Sequence, residues 1–424
     1  MGSTCDLSID GFSVWGTKSY VDDATLSIFH ERDRQSRVAP RPQYGSREPE
    51  EIIAYAVAAQ AMRERLDAMG FSVAHARDDY ARGLSDDYEI YLSEGFTRAD
   101  RKRVKDWTYD RWCAAIARLS PRGFQVWNAE KFADDPDAER IADSLRSGLG
   151  AYFSDVRFLV RGLLDALPEA QEVVLDVTDL IHAGYYEDEE PICDAARRGW
   201  AHDHSIHGSI LLLTEGKTDT RILQAAFEAM APHLVGLYGF LDFDGLKIEG
   251  SADVLAKTIR SFVGARVSSR VIAIFDHDTA GTAAMASLAN VDLPDHIRVM
   301  ALPENALASS YPTLGPQGPA TMDVNGMACG IEMYLGPDAL CDTQGALLPI
   351  RWTGYNSKLR RYQGAVEDKD GISERFLDRL RRCASPREAR EAFPELANVI
   401  DRIAGMFADA PLGVKGPRQN LSGW

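Results

Sequence analysis

The sequence predicts an α/β protein. Its C-terminal half should be a parallel sheet with flanking helices, preceded by a mixed, largely helical α+β region. From Ser209 onward, apolar runs of strand length alternate with segments of helical spacing. These runs lack polar alternation, which is typical of strands buried on both faces of a parallel sheet with right-handed crossovers. Such sheets place their chemistry at the carboxyl ends of the strands, and acidic residues follow the strands here.

The N-terminal half predicts short strands and several helices. Apolar alternation over 7–14 with turn residues predicts a small hairpin before a short helix. Residues 48–69 carry apolar side chains at helical spacing and stop at Gly70, which predicts one helix ending at that glycine. Residues 172–181 fit either a strand or a short helix. Further helices are expected at 98–119, 135–150 and 151–167.

The second half predicts four strands with helices between them. The strands are expected at 210–214, 237–243, 270–275 and 297–302, and the helices at 219–230, 251–264 and 279–289. We expect three domains over 1–205, 206–305 and 306–424.

Composition limits the functional classes. The chain has 424 residues, with 47 Lys and Arg against 64 Asp and Glu, a formal net charge of −17. So acidic a chain repels polyanions at long range, which argues against a passively basic nucleic-acid binder. If nucleic acid is the substrate, local groups must overcome that repulsion.

Cysteine usage and hydropathy predict a cytoplasmic protein that is not bound to a membrane. The six cysteines are scattered, with no C-x-x-C pair, which disfavours a zinc ribbon or a disulfide scaffold and favours a reducing compartment. No apolar run approaches the length of a membrane span, and no signal peptide is evident.

The candidate catalytic residues are carboxylates at two strand ends. Glu215 follows the first strand in L-T-E-G-K-T-D, and Asp276 and Asp278 follow the third in F-D-H-D-T-A-G. Residues i and i+2 at an extended strand end point to the same side, so both aspartates can reach one site. Such hard oxygen ligands suit Mg²⁺ or Mn²⁺, while Gly216 and Gly281 allow sharp turns. Alternatively, a D-x-D pair is structural, and Asp219 simply caps the following helix.

In combination, these motifs resemble the Toprim domain shared by topoisomerases, primases and several nucleases. The resemblance covers roughly 208–305, through E-G-K-T-D and D-x-D-x-x-G. It implies that Glu215 acts as general acid or base or joins metal binding. It also implies that Asp276 and Asp278, with Asp219, hold a divalent ion for phosphodiester chemistry.

Two later segments resemble the overcoming-lysogenization-defect (OLD) type nucleases. C-G-I-E-M-Y-L at 329–335 is similar to their I-E-x-Y-L segment, which implies that Glu332 joins the metal site. Lys369 precedes an amphipathic helix, as the family's helper lysine does, and would stabilise charge on the phosphate. The alternatives are a solvated charge for Glu332 and a surface lysine for Lys369.

The first 33 residues resemble the HEPN/Toprim-associated N-terminal domain found in predicted bacterial conflict proteins. The similarity lies in C-D-L-S-I-D-G at 5–11, in S-Y-V-D at 19–22 and in the region of Phe29 and 31–33. It implies a context of antiphage defence, with the N-terminal module sensing, binding or scaffolding.

Basic residues near the proposed site are the expected nucleic-acid contacts. We assign this role to Lys217 and to Lys358, Arg360 and Arg361. The basic run 98–107 with three nearby aromatic residues fits either nucleic-acid binding or an exposed helix face with a buried tryptophan.

Histidines are not assigned to catalysis. Arg197 and His202 fit the spacing of HEPN ribonucleases weakly, and 202–207 fits a polar connector better than a metal site. His277 should point away from its two aspartate neighbours.

These observations predict a Toprim nuclease that uses Mg²⁺ or Mn²⁺ to cleave DNA or RNA in antiphage defence. The alternatives are a tRNA-directed ribonuclease, or a catalytically weak Toprim module for nucleotide sensing or assembly. The expected partners are a nucleic-acid substrate, a protein of the defence system and further copies of the chain in a homo-oligomer.

Overall fold

A computed structural model describes residues 2–41, 48–93, 97, 102, 104–146, 152–201, 209–241 and 250–408. The chain divides into two compact units, 1–203 with 407–424, and 204–406. The α/β fold class is confirmed, while the three-domain division stays a prediction. Among the described residues, no helix is both long and apolar enough to cross a membrane.

The N-terminal unit is built on a five-stranded antiparallel sheet of order β2-β1-β5-β4-β3. The strands are β1 (Asp6–Ile9), β2 (Phe12–Trp15), β3 (Arg34–Pro40), β4 (Pro49–Ala58) and β5 (Glu172–Asp176). The helices are α1 (Asp23–Ser27), α2 (Ala59–Ala68), α3 (Val73–Ser93), α4 (Tyr109–Leu119), α5 (Ala138–Arg146), α6 (Val156–Ala166), α7 (Thr178–His182) and α8 (Ile192–Ala201). The expected hairpin and short helix are present as β1, β2 and α1.

The single helix expected over 48–69 is wrong in its first half, which forms the inner strand β4. Ile52 and Ala54 pack in the core beside Val174 of β5. Apolar residues on both faces of an inner strand also match helical spacing, so the local pattern does not separate the two. The predicted end is correct, because Gly70 adopts a positive φ and the Phe71 amide donates to the Leu66 carbonyl at 2.8 Å.

The second unit contains the expected parallel sheet, of order β10-β8-β6-β7. A core cluster packs residues of one sheet face, such as Leu213 and Phe275, against helix residues such as Ile259. The strands are β6 (Ile210–Leu213), β7 (Tyr238–Phe240), β8 (Val271–Phe275) and β10 (Ile297–Ala301), and the helices are α9 (Lys217–Met230), α10 (Ala252–Gly264) and α11 (Thr279–Leu288).

A second sheet and three helices follow in the same unit. The sheet has the order β12-β11-β14-β15, so β15 is an edge strand. The two-residue strand β9 (His277–Asp278) pairs with β13 (Ala328–Cys329), which brings this later segment to the end of β8. The remaining elements are β11 (Tyr311–Gly315), β12 (Gly318–Met322), β14 (Ile350–Asn356), β15 (Arg361–Val366), α12 (Lys369–Leu380), α13 (Pro386–Ala392) and α14 (Pro394–Gly405).

Candidate active site

Glu215 and Asp276 meet at the carboxyl ends of two adjacent parallel strands. Glu215 lies two residues after β6, and Asp276 follows β8 directly. The backbone amide of Asp276 donates a hydrogen bond to Glu215 Oε1 at 2.9 Å. The two residues are 61 positions apart in sequence, so the parallel pairing of β6 with β8 joins them.

Two glycines allow this close approach. A Cβ on Gly281 would overlap the carbonyl oxygen of Asp276 and lie 3.2 Å from Glu215 Oε1. A Cβ on Gly250 would overlap the carbonyl oxygen of Glu215. Gly216 differs, since its backbone is extended and a Cβ there would have Asp219 Oδ2 as its nearest neighbour at 3.9 Å. Of these three positions, Gly281 and Gly250 therefore have the steric requirement for glycine, and Gly216 does not.

Asp278 has both carboxylate oxygens engaged by hydrogen-bond donors. Oδ1 accepts from the Gly281 amide at 2.7 Å, which caps the N-terminus of α11. Oδ2 accepts from Gln363 Nε2 of β15, also at 2.7 Å. The capping role that a D-x-D pair can have is present at Asp278, and each oxygen retains a further lone pair for a ligand.

Glu332 is buried, with 2% of its surface exposed, in a short 3₁₀ turn over Ile331–Tyr334. Its Oε1 accepts from Lys369 Nζ at 2.8 Å. A Cβ on Gly330 would lie 2.6 Å from Glu332 Oε2 and 3.2 Å from Asp276 Oδ2, so the two carboxylates flank the same point. Glu332 is therefore not a solvated charge. Lys369, the first residue of α12, is a half-exposed lysine with a buried partner.

Burial raises the pKa of Glu215, Asp219 and Asp276. It raises the pKa of Glu215 to about 7, with Asp278 and Asp219 adding to the shift and the Asp276 amide and Lys369 opposing it. Burial, followed by the charge of Glu332, also raises the pKa of Asp219 to about 7. The pKa of Asp276 lies well above its ordinary range, because of burial and then the charge of Asp219.

Lys369 is the cation that partly balances this charge. Burial lowers the pKa of Lys369, but the charges of Glu332, Asp276 and Asp219 together raise it by more. The net shift is therefore upward, and the ammonium stays charged. Five carboxylates and one lysine give a formal charge of −5 + 1 = −4 when all are ionised. They are Glu215, Asp219, Asp276, Asp278, Glu332 and Lys369.

The donor chemistry of the cluster fits a hard divalent cation, because every available ligand atom is a carboxylate oxygen. Within the described ranges, however, no three His, Cys, Asp or Glu side chains are gathered so as to hold a metal ion as they stand. Oxygens of Glu215, Asp278 and Glu332 accept hydrogen bonds from protein donors instead. The metal-ligand roles of these residues stay predictions.

The predicted basic contacts lie at two places in this unit. Lys217 is exposed at the first position of α9. Lys358 and Arg360 are exposed in the turn between β14 and β15. Arg361 starts β15 and donates to the Gly326 carbonyl at 3.2 Å.

Two further groups were candidates from the sequence, the basic run 98–107 with its nearby aromatic residues, and Arg197 with three histidines. Trp107 and Trp112 are buried, as the structural alternative for that segment requires, whereas 98–101 and 103 lie outside the described residues. Arg197 Nη1 donates a hydrogen bond to Asp194 Oδ1 at 3.3 Å. His202, His204 and His207 lie outside the described residues. These three histidines therefore receive no structural assignment.

Sequence reasoning missed Gln363 and Thr279. Gln363 donates to Asp278, and the Thr279 hydroxyl donates to the Tyr362 carbonyl at 2.6 Å. A neutral amide in a strand more than eighty residues away carries no local signal of such a contact. The pairing of β9 with β13 and the position of β15 next to α11 create it.

Comparison with known protein families gives a match in the N-terminal unit. Residues 1–199 match the family model of the HEPN/Toprim N-terminal domain 1. The resemblance stated for the start of the chain is thus confirmed and extends over most of the N-terminal unit. The search of curated proteins finds no match. The search of solved structures finds none either.

Proposed function

We propose that this protein is a divalent-metal-dependent nuclease of the Toprim type that cleaves DNA or RNA in antiphage defence. The observation that carries the proposal is the contact between Glu215 and Asp276 within a cluster of buried carboxylates at adjacent strand ends. The family match of residues 1–199 to a domain named for its association with Toprim supports it independently.

Asp219, Asp276, Asp278 and Glu332 would hold Mg²⁺ or Mn²⁺, with Glu215 as a further ligand or as the proton-transfer group. The ion supplies Lewis-acid stabilisation of the charge that develops on a phosphodiester. It would also offset the carboxylate repulsion that, after burial, raises the pKa of Glu215, Asp219 and Asp276 in the protein alone.

Glu215 is the candidate general acid or base. In the metal-free protein its pKa of about 7 gives both protonation states near neutral pH, the range that suits proton transfer. The Asp276 amide fixes Glu215 Oε1, which leaves Oε2 as the oxygen for the transferred proton. Glycine at 281 keeps this part of the site free of a side chain.

Lys369 is the candidate electrostatic residue. Its ammonium is held by Glu332 and remains half exposed, so it can also face an incoming phosphate. We propose that the N-terminal unit senses, binds or scaffolds. We also propose that the chain works in the cytoplasm, as a homo-oligomer and with a protein of the defence system.

A cleavage assay with isosteric variants tests the proposal. Purified protein is incubated with plasmid DNA, single-stranded DNA and total tRNA, in Mg²⁺ or Mn²⁺. We expect cleavage by the parent and a loss of at least about 100-fold for Glu215→Gln, the lower range for removing a positioned acid–base group. Asp276→Asn should also lose activity, because it removes the charge of a proposed metal ligand.

Asp292→Asn is the matched control, because Asp292 is an exposed carboxylate of the same unit. It should cleave like the parent. The nuclease proposal is wrong if no nucleic acid is cut with either metal, or if Glu215→Gln and Asp276→Asn cut as well as Asp292→Asn.

A further inference from the structure

The hairpin of β14 and β15 exposes two tyrosines. Tyr355 is 57% exposed and Tyr362 is 50% exposed. Among the described residues of the second unit, these two are the exposed large hydrophobic side chains. An apolar surface of this kind, concentrated on one hairpin, is typical of a binding surface.

The two tyrosines belong to a row of three aromatic rings. Tyr355 and Tyr362 are directly opposite in the β14–β15 register, with ring centroids 5.2 Å apart. Tyr362 also contacts Trp352, at a centroid distance of 5.6 Å.

Glycines let the Trp352 ring lie close to the sheet. A Cβ on Gly364 would be 2.8 Å from Trp352 Cε3, and one on Gly315 would be 3.2 Å from Cδ1. The indole therefore covers backbone of both neighbouring strands and supports the tyrosines at one end of the row.

The same hairpin is basic. Residues 350–366 contain Arg351, Lys358, Arg360 and Arg361 and no Asp or Glu, in a chain of net charge −17. Arg351 pairs with Glu367, but no ion pair within the described part of the chain neutralises the other three. Aromatic rings among unneutralised cations complement the bases and phosphates of a nucleic acid.

The hairpin is joined to the candidate active site by two hydrogen bonds from consecutive residues. The Tyr362 carbonyl accepts from Thr279 Oγ1, and Gln363 Nε2 donates to Asp278 Oδ2. Adjacent side chains of a strand point to opposite faces, so Gln363 reaches the carboxylates while Tyr362 carries the outer aromatic row. The row and the carboxylates therefore lie on opposite sides of the edge strand β15, so one strand separates a ligand on the row from the site.

We propose that the row Trp352, Tyr355 and Tyr362 is a stacking platform for unpaired bases, so that the substrate is single-stranded nucleic acid. This inference specifies the substrate class of the proposed nuclease. It rests on the proposed function for the claim that the bound strand is cleaved. Bases within a duplex already stack on each other and do not offer their faces to a protein ring. Phosphates of the same strand would contact Lys358, Arg360 and Arg361.

Binding without cleavage tests the platform. The probe is fluorescein-labelled oligo-dT of about 16 nucleotides, the upper end of the site size of a single-strand-binding module, with Ca²⁺ in place of Mg²⁺. Fluorescence anisotropy compares it with an oligo-dT·oligo-dA duplex of the same length. We expect the wild type to bind the single strand more tightly.

The variants are Tyr355→Ala and Tyr362→Ala. Each should raise the Kd for oligo-dT by roughly 5- to 150-fold, the range measured for loss of one base–aromatic stack. Tyr355→Phe and Tyr362→Phe keep the stacking face and should remain within about two-fold of the wild type. Tyr185→Ala is the matched control, since Tyr185 is a similarly exposed tyrosine of the N-terminal unit.

The results separate this inference from the proposed function. Equal affinity for the two probes, absence of binding, or an unchanged Kd in Tyr355→Ala and Tyr362→Ala overturns the platform. Tyrosine-dependent binding of oligo-dT by a protein that cuts nothing keeps the platform and overturns the nuclease. Tyr355 is the end ring of the row and contacts only Tyr362 within it. Tyr355→Ala therefore remains informative if Tyr362→Ala does not fold.

Discussion

The ion pair between Lys369 and Glu332 should stabilise the second unit when no metal is bound. Lys369→Met keeps most of the side-chain volume and removes the charge, which leaves Glu332 buried among other carboxylates. We expect a lower free energy of unfolding at pH 8 in the presence of EDTA.

The magnitude follows from the geometry of the pair. At the 2.8 Å separation of Nζ and Oε1, Coulomb's law gives about 1.5 kcal/mol in water and about 6 kcal/mol at an effective dielectric constant near 20. The lysine side chain is 46% exposed, so solvent screens its charge. Holding it in the ion pair also costs conformational entropy, which further reduces the net stabilisation. We therefore expect a loss of about 1–3 kcal/mol, below the 3–5 kcal/mol typical of a fully buried pair.

Urea unfolding at pH 8 measures this loss. Glu332→Gln combined with Lys369→Met should recover most of the stability, since it removes the uncompensated charge.

Lys257→Met is the matched control, because Lys257 is an exposed lysine of the same unit whose charge has no carboxylate partner among the described residues. The reasoning is refuted if Lys369→Met is no less stable than Lys257→Met at pH 8. It is also refuted if the double variant is as unstable as Lys369→Met alone.

Three further outcomes are expected. Mn²⁺ should raise the Tm of the wild type at pH 8 and much less at pH 5, where Glu215 and Asp219 hold protons, and a thermal shift as large in Asp276→Asn would contradict the site. For the metal-free protein, Glu215 and Asp219 have folded-state pKa values near 7 against ordinary values of 4.5 and 3.8. The protonated carboxyl groups therefore stabilise the fold below about pH 4, and this stabilisation is lost as the pH rises through 7. In urea titrations between pH 5 and 8, the free energy of unfolding should decline less in Glu215→Gln than in the wild type. Gly281→Ala should cost about 1–3 kcal/mol because its Cβ overlaps the Asp276 carbonyl, whereas Gly264→Ala, which meets nothing within 4 Å, should be neutral or stabilising, and equal effects in urea unfolding would refute the steric argument.

The sequence predicted the elements that local pattern specifies. The inner strands of the parallel sheet, β6 and β8, are continuous apolar runs between helical segments, as burial on both faces requires. The edge strands β7 and β10 are less buried, and β10 contains Arg298. Because parallel strands align their carboxyl ends, the placement of Glu215 near Asp276 also followed from the sequence.

Local pattern was insufficient where two structures bury the same residues. Residues 49–58 satisfy both helical spacing and an inner strand, and pairing of β4 with β3 and β5 selects the strand. The pairing of β4 with β5 joins segments more than one hundred residues apart, so a short window contains no information about it.

The sequence by itself determined the parallel sheet and which carboxylates follow its strands, because strand period and strand direction are local properties. Only the tertiary structure decided that Glu332 is buried against Lys369, that Gln363 holds Asp278, and that three aromatic rings form one row. The first two contacts depend on the packing of β9, β13 and β15 against one another, and the aromatic row depends on the pairing of β14 with β15. Burial, charge pairing and ring packing arise there between residues whose separate sequence neighbourhoods do not specify them.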